Sequence, residues 1–245
     1  MFLSKLVLNP RCRAVRRDLA DCQELHRTLM AAFPHTKAQS ARDEFGLLFR
    51  LETSVRSGQV TAIVQSALEP NWGQLPSGYL AEAENNPACK PVNGSYSSLT
   101  TGRRLAFRLR ANPTKKIGTR RKDAEGGKSN GKRIEIRGEE DQIAWLHRKA
   151  EHHGFQLVGV RIKPEIADVR ARPENKVIGW REVNDAVAPK RRLTFAAVVF
   201  EGVLEITDAD KFKQALADGI GSGKAYGFGL LSIAPAGART SPSAE

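Results

Sequence analysis

The chain is poor in cysteine, poor in aromatics and without a long apolar run. Its three cysteines, Cys12, Cys22 and Cys89, are odd in number and form no C-x-x-C pair, which speaks against a disulfide framework or a cysteine zinc site and fits a reducing compartment. No stretch approaches the ~18 consecutive apolar residues of a membrane span. The opening MFLSKLVLNP alternates where a signal peptide would carry an apolar block, so the cytoplasm is the expected location. Aromatics make up 7% of the chain and are not clustered, so shape and phosphate recognition is expected ahead of base stacking. His147, His152 and His153 have the wrong spacing for two ligands on one helical face, and no H-E-x-x-H motif or nuclease-type carboxylate pair accompanies them. No metal and no other cofactor is expected.

What the chain does have is positive charge. The net formal charge is +12 in 245 residues, which attracts polyanions and puts nucleic acid ahead of acidic proteins and membrane surfaces as a partner. From Arg103 to Arg137 there are thirteen Lys or Arg against Asp123, Glu125 and Glu135, so +10 of the +12 lies in 35 residues.

The apolar pattern predicts a strand over Phe2–Leu8 and a helix from Cys22 to Phe33, stopped by Pro34. Asp21 with Glu24 three residues on is an Asp form of the capping box at that helix start. Phe45–Leu51 and Val60–Leu68 read as a hairpin, and the Pro-rich stretch 70–98 reads as loop with a short helix at Tyr79–Glu84. In Arg104–Arg110, Leu105, Phe107 and Leu109 share one face and Arg104, Arg108 and Arg110 the other, as in a half-buried strand with a basic outer face. Residues 112–132 are too polar and Gly-rich to pack and read as a long mobile loop carrying Lys115 and Lys116. A helix over Glu139–His153, a strand over Phe155–Ile162, an irregular basic stretch over 170–192, a strand over Leu193–Ile206, a helix over Asp208–Asp218 and a strand over Tyr226–Ile233 complete the pattern. The second half thus reads β-α-β-β-α-β and the first β-α-β-β with an unclear remainder, so the economical architecture is α+β with two related units in tandem, over 1–98 and 99–236, and a disordered tail at 237–245.

Among five histidines, only His26 lies on the flank of a strongly amphipathic helix in the first unit, where core meets solvent. An imidazole at such a border can take and give a proton, and it can equally be a plain surface group; spacing alone leaves both open. RNA carries its own nucleophile in the ribose 2′-OH, so a base, an acid and cations against the phosphate suffice to cut it without metal. The loop Gly219, Gly221, Gly223, Lys224, Gly227, Gly229 fails the Walker pattern, because Ala225 follows Lys224 and a strand follows the loop. It is either a backbone cradle for phosphates or a tight turn. Lys190, Arg191 and Arg192 form a basic cluster before a strand, either gripping an RNA backbone or standing in solvent.

Four blocks in order, MFLSKLVLNPRCRAVRRDLADCQELHRTLMAAFP, LAFRLRANPTK, EDQIAWLHRKAEHHGF and VVFEGVLEITDADKFKQALADGIGSGKAYGFGLLSIAP, resemble the CasE family of CRISPR-associated endoribonucleases over residues 1 to about 236. The resemblance implies tandem ferredoxin-like units that cut CRISPR precursor RNA at the base of the repeat hairpin. It also implies a product held among the other Cascade subunits, with no membrane or small-molecule cofactor involved. In that family the histidine closing the L-H motif, here His26, is catalytic, the cut uses the 2′-OH and leaves a cyclic phosphate, and the Gly-rich loop at 219–229 is the hallmark. Similar members carry Tyr three residues before the histidine. Here Gln23 stands there, which can hydrogen-bond but cannot transfer a proton, so Arg27, Lys37 or the 190–192 cluster would have to neutralise charge. The rival reading is an RNA-hairpin-binding subunit that does not cut.

Overall fold

The structure is a computed structural model, and the residues it describes are 1–36, 41–117, 132–182 and 190–237. Lys37, most of the 112–132 stretch and the tail beyond residue 237 lie outside the described residues.

The first half runs β1 (Phe2–Val7), α1 (Arg13–Ala20), α2 (Cys22–Met30), α3 (Ala41–Glu44), β2 (Leu48–Thr53), β3 (Val60–Ser66), β4 (Ala88–Pro91) and α4 (Asn93–Ser97). The second runs β5 (Arg104–Ala111), β6 (Thr114–Ile117), β7 (Lys132–Glu135), α5 (Glu139–His152), β8 (Phe155–Leu157), β9 (Gly159–Val160), β10 (Lys163–Ala167), β11 (Val169–Arg181), β12 (Arg191–Ile206), α6 (Ala209–Asp218) and β13 (Leu231–Pro235). The protein is α+β with antiparallel sheets. One of the two larger sheets has the order β2-β3-β1-β4 and the other β11-β12-β5-β13, with β8 also paired to β12, and β6–β7 and β9–β10 form two small two-stranded sheets. No described helix is long and apolar enough to cross a membrane.

Each sheet carries its own core. Leu6, Leu25, Leu29, Phe49 and Val64 pack under α2 in the first, and Phe107, Leu146, Phe155, Phe200 and Phe212 pack under α5 and α6 in the second. The apolar stripe of α2 is Cys22, Leu25, Thr28 and Leu29, spaced at one helical turn, so folding buries that face and leaves His26 on its flank.

Four expectations from the sequence are corrected. No helix forms at Tyr79–Glu84: the buried Tyr79 hydroxyl donates to Asp18 (2.8 Å), and Ala81 donates its N–H to Val7 (2.9 Å), so the segment is pulled straight beside the end of β1. Residues 183–189 lie outside the described residues, and the described parts of the 170–192 stretch are not irregular, because β11 pairs with β12 along most of its length across one register shift between Glu174 and Val177. Its Pro173 is tolerated because β11 is an edge strand. The 112–132 stretch is not wholly loop, since its two ends pair as β6 and β7. Phe155–Ile162 is broken into β8 and β9.

The two halves are joined by buried polar contacts. Gln65 of β3, fully buried, donates from Nε2 to the Leu216 carbonyl (2.6 Å) and accepts from the Tyr96 hydroxyl (3.0 Å). Replacing Gln65 with Ala leaves both of these groups without a partner and should cost about 1–3 kcal/mol for each one that stays dry. A lower urea midpoint with unchanged helix content is the expected result, and an unchanged midpoint would show that Gln65 joins nothing.

Candidate active site

The N-terminus of α2 is fixed by Asp21. Its Oδ1 accepts from the Gln23 backbone N–H (2.9 Å) and from the Trp180 backbone N–H on β11 (3.2 Å). One carboxylate thus caps the helix and satisfies an outward-facing N–H of an edge strand. Glu24, the other half of the predicted capping box, instead pairs with Arg27 and Arg17. Gly179 allows the strand to come this close, because a Cβ there would sit 2.7 Å from Cys22 Sγ. Burial pushes the Cys22 thiol up to about 12, so it stays protonated and inert.

His26 lies one turn beyond Cys22 and is half-buried. Its ring runs near-parallel to Phe49 of β2, with centroids 6.5 Å apart and planes at 16°. Nδ1 is buried and meets no hydrogen-bond partner. Burial, and secondarily the positive charge of Arg42, lower the His26 pKa to about 4. The imidazole is therefore neutral near pH 7, with a lone pair available for a proton.

The Gly-rich loop also packs against Phe49. Gly227 has φ +85°, and a Cβ on it would lie 3.0 Å from the Phe49 ring. Gly219 ends α6 with φ +77°, and a Cβ there would meet Leu48 at 2.8 Å. Both positions need glycine for conformation and for close approach. The loop therefore packs against the strand that supports His26, and Gly221, Gly223 and Lys224 come with it.

Arg42 on α3 is the cation that sequence reasoning missed. Its segment, ARDE, shows no periodicity or motif, and only folding brings it beside His26 and the loop. Arg42 pairs with the exposed Asp43 and donates to the Leu47 carbonyl (3.4 Å). Arg42 and Lys224 line one cavity of about 220 Å³ with Asp43, Gly46, Ala217 and Asp218. Burial lowers the pKa of both cations, and Arg42 lowers Lys224 further, while Asp218 opposes the shift in each. The arrangement is a neutral imidazole near the partly desolvated Arg42, which in turn shares a cavity with Lys224, Asp43 and Asp218; cations so placed suit an anionic group at which a proton must move.

The remaining predicted residues are dispersed. Gln23 is half-buried with its N–H in the helix cap, and the exposed Arg27 is held by Glu24. The basic outer face expected on β5 does not exist as free charge. Arg104 pairs with Glu205 (2.7 Å), Arg108 with Glu201 (2.5 Å) and Glu52 (2.9 Å), and Arg110, only 8% exposed, with Glu174 (2.8 Å). The strand faces other strands on that side, and their carboxylates neutralise it. Lys115 and Lys116 are exposed on β6, and Lys190, Arg191 and Arg192 are exposed at the start of β12, with Lys190 paired to Glu182 (3.5 Å). Among the described residues, no group of three or more His, Cys, Asp or Glu could hold a metal ion.

The family described as CRISPR associated protein matches residues 1–235. The chain is 37% identical over 235 residues to the CRISPR-associated endoribonuclease Cse3 of Thermus thermophilus, covering 96% of this chain and 100% of that protein. It is 32% identical over 237 residues to the CRISPR system Cascade subunit CasE of Escherichia coli, with 96% and 100% covered. A solved structure of the CRISPR endoribonuclease Cse3 bound to a 19-nucleotide RNA superposes with a TM-score of 0.72 at 36% identity, covering 96% of this chain and 100% of that one.

The environment of His26 can be tested by titration. A histidine depressed below its usual 6.5 contributes stability that is full above pH 6.5 and is lost as the pH falls towards about 4. Removing a neighbouring positive charge must raise its proton affinity, so in Arg42→Gln the His26 imidazole should titrate above its wild-type value. It should still titrate below 6.5, because burial is the larger cause. NMR of the ring protons reads both values, and an unmoved His26 would separate the two residues.

Proposed function

Since the chain belongs to the Cse3/CasE family of CRISPR-associated endoribonucleases, we propose that it cuts CRISPR precursor RNA at the base of the repeat hairpin and stays with the product inside Cascade. The observation that carries this reading is the neutral, half-buried His26 with an unpartnered Nδ1, set beside Arg42 and the Lys224 loop. The same strand order in both sheets supports tandem ferredoxin-like units, divided between residues 98 and 99, with the Gly-rich loop at 219–229.

In the proposed reaction, His26 takes the proton of the ribose 2′-OH. The 2′-oxygen bonds to phosphorus, the bond from phosphorus to the 5′-oxygen breaks, and the departing 5′-oxygen takes up a proton. The products are a 2′,3′-cyclic phosphate and a 5′-OH. The nucleophile comes from the substrate, so no metal is required. Arg42 and Lys224 stabilise the charge that builds on the phosphate oxygens, and their partial burial strengthens that effect. Gln23 supports this step only by hydrogen bonding. Arg27 is already engaged by Glu24, which leaves Arg42 as the nearer source of charge. The RNA stem is gripped through its phosphates by Lys190, Arg191 and Arg192, with Lys115 and Lys116 adding charge on β6.

Incubation of repeat RNA with the protein in EDTA should give a single cut ending in a cyclic phosphate. His26→Ala should abolish the cut while hairpin binding survives. A wild type that binds without cutting would favour the RNA-binding subunit, and normal cutting by His26→Ala would remove His26 from the mechanism. Changing Lys190, Arg191 and Arg192 together to Ala should weaken binding and flatten the slope of log affinity against log salt by about 2 to 3. An unchanged slope would place the RNA on another surface.

A further inference from the structure

We propose that Trp180 is a stacking platform for one unpaired or terminal base of the bound RNA, a contact that rests on the RNA-cleaving reading above. The three tryptophans divide sharply: Trp72 and Trp145 are 6% and 5% exposed within the two halves, whereas Trp180 is 42% exposed on β11. An indole left in water on an edge strand needs a reason, and its neighbours supply one. In the β11–β12 register Trp180 stands opposite Arg192, so the two side chains share a face of the sheet. One position further on, and on the opposite face of the two-stranded end, Arg181 stands opposite Arg191, two like charges directly across a ladder. Such a pair is unfavourable on its own. Together with Lys190 and Glu182, which pair with each other (3.5 Å), the described residues at this end of the β11–β12 ladder carry four cations and one carboxylate, leaving Arg181, Arg191 and Arg192 without an acidic partner among them.

The occupant that satisfies both an exposed aromatic face and uncompensated cations is a nucleic-acid strand, stacked through a base and neutralised through its phosphates. A paired stem offers the ring no base face except at its end, so the base is one at the stem terminus or in the adjoining single strand.

The position also links recognition to cutting. The Trp180 backbone N–H is bound to Asp21, the residue that caps the helix bearing His26 five positions later. The platform backbone and the catalytic helix are therefore held by one carboxylate, and a base seated on Trp180 sets the register of the RNA strand relative to His26.

The test uses tryptophan emission, because the other two indoles are buried. Repeat-hairpin RNA with its single-stranded flanks, added to the full-length His26→Ala protein so that nothing is cut, should quench the emission, and Trp180→Phe in the same background should lose that quenching. In the otherwise wild-type enzyme, Trp180→Ala should bind roughly ten-fold more weakly, within the range of one lost base stack, and should cut at more than one position, whereas Trp180→Phe should keep the single cut. If the wild type binds and cuts but emission does not change and Trp180→Ala behaves as wild type, this inference is overturned alone. A wild type that neither binds nor cuts the RNA overturns the functional reading and this inference with it.

Discussion

A single buried guanidinium holds the two sheets in the relation that makes the site. Arg50 of β2 is 4% exposed, pairs with Glu52 (2.6 Å) and donates across to Ser232 Oγ (3.0 Å) and to the Leu230 carbonyl (3.4 Å) near β13. Glu52 in turn binds Arg108 of β5 (2.9 Å). Taking such a charge out of water costs several kcal/mol, recovered only when its donors meet well-placed acceptors. The permitted placement of β5 and β13 against β2 is therefore narrow. Phe49 is the residue before Arg50, and its ring neighbours both His26 and Gly227, so the same constraint bears on the space around the imidazole.

This dependence explains how charge is used across the molecule. The arginines of β5 are each matched to a glutamate, Arg104 and Arg110 within the second half and Arg108 also across to Glu52 of the first, and they leave little field for a ligand. Charge outside these pairs lies at the ends of elements: Lys224 in the Gly-rich loop, Arg42 on its short helix beside Asp43, and the arginines at the β11–β12 end. Net charge drew attention to nucleic acid, but only pairing separates the cations that build the fold from those left without an acidic partner.

Several elements were legible before folding. α2 announced itself through Cys22, Leu25 and Leu29 at helical spacing and through Asp21 as its cap, because burial of one face and satisfaction of the first N–H groups are local demands. β12, α5 and α6 were visible for similar reasons. β11 was not, since an edge strand with Pro173 and many polar residues derives its order from the ladder with β12 rather than from its own apolar pattern. α1 and β4 were also missed. In α1 only Val15 and Asp18 are buried, and β4 is a four-residue edge beside β1 in a proline-rich stretch, so neither carries a readable period.

His26 shows the division most clearly. The sequence alone determined that a histidine would stand on the flank of an amphipathic helix, because helical spacing is set within one turn, and its blocks determined the family. Spacing could not tell a catalytic imidazole from a surface one. The tertiary structure decided that this flank is covered: β2 and the Gly-rich loop come from distant parts of the chain to desolvate the ring, and Arg42 arrives from a segment with no motif. The local pattern specifies which face of α2 is buried, whereas the proton affinity of His26 depends on what lies within a few ångströms of it. Those neighbours are set by the packing of two sheets across a buried arginine.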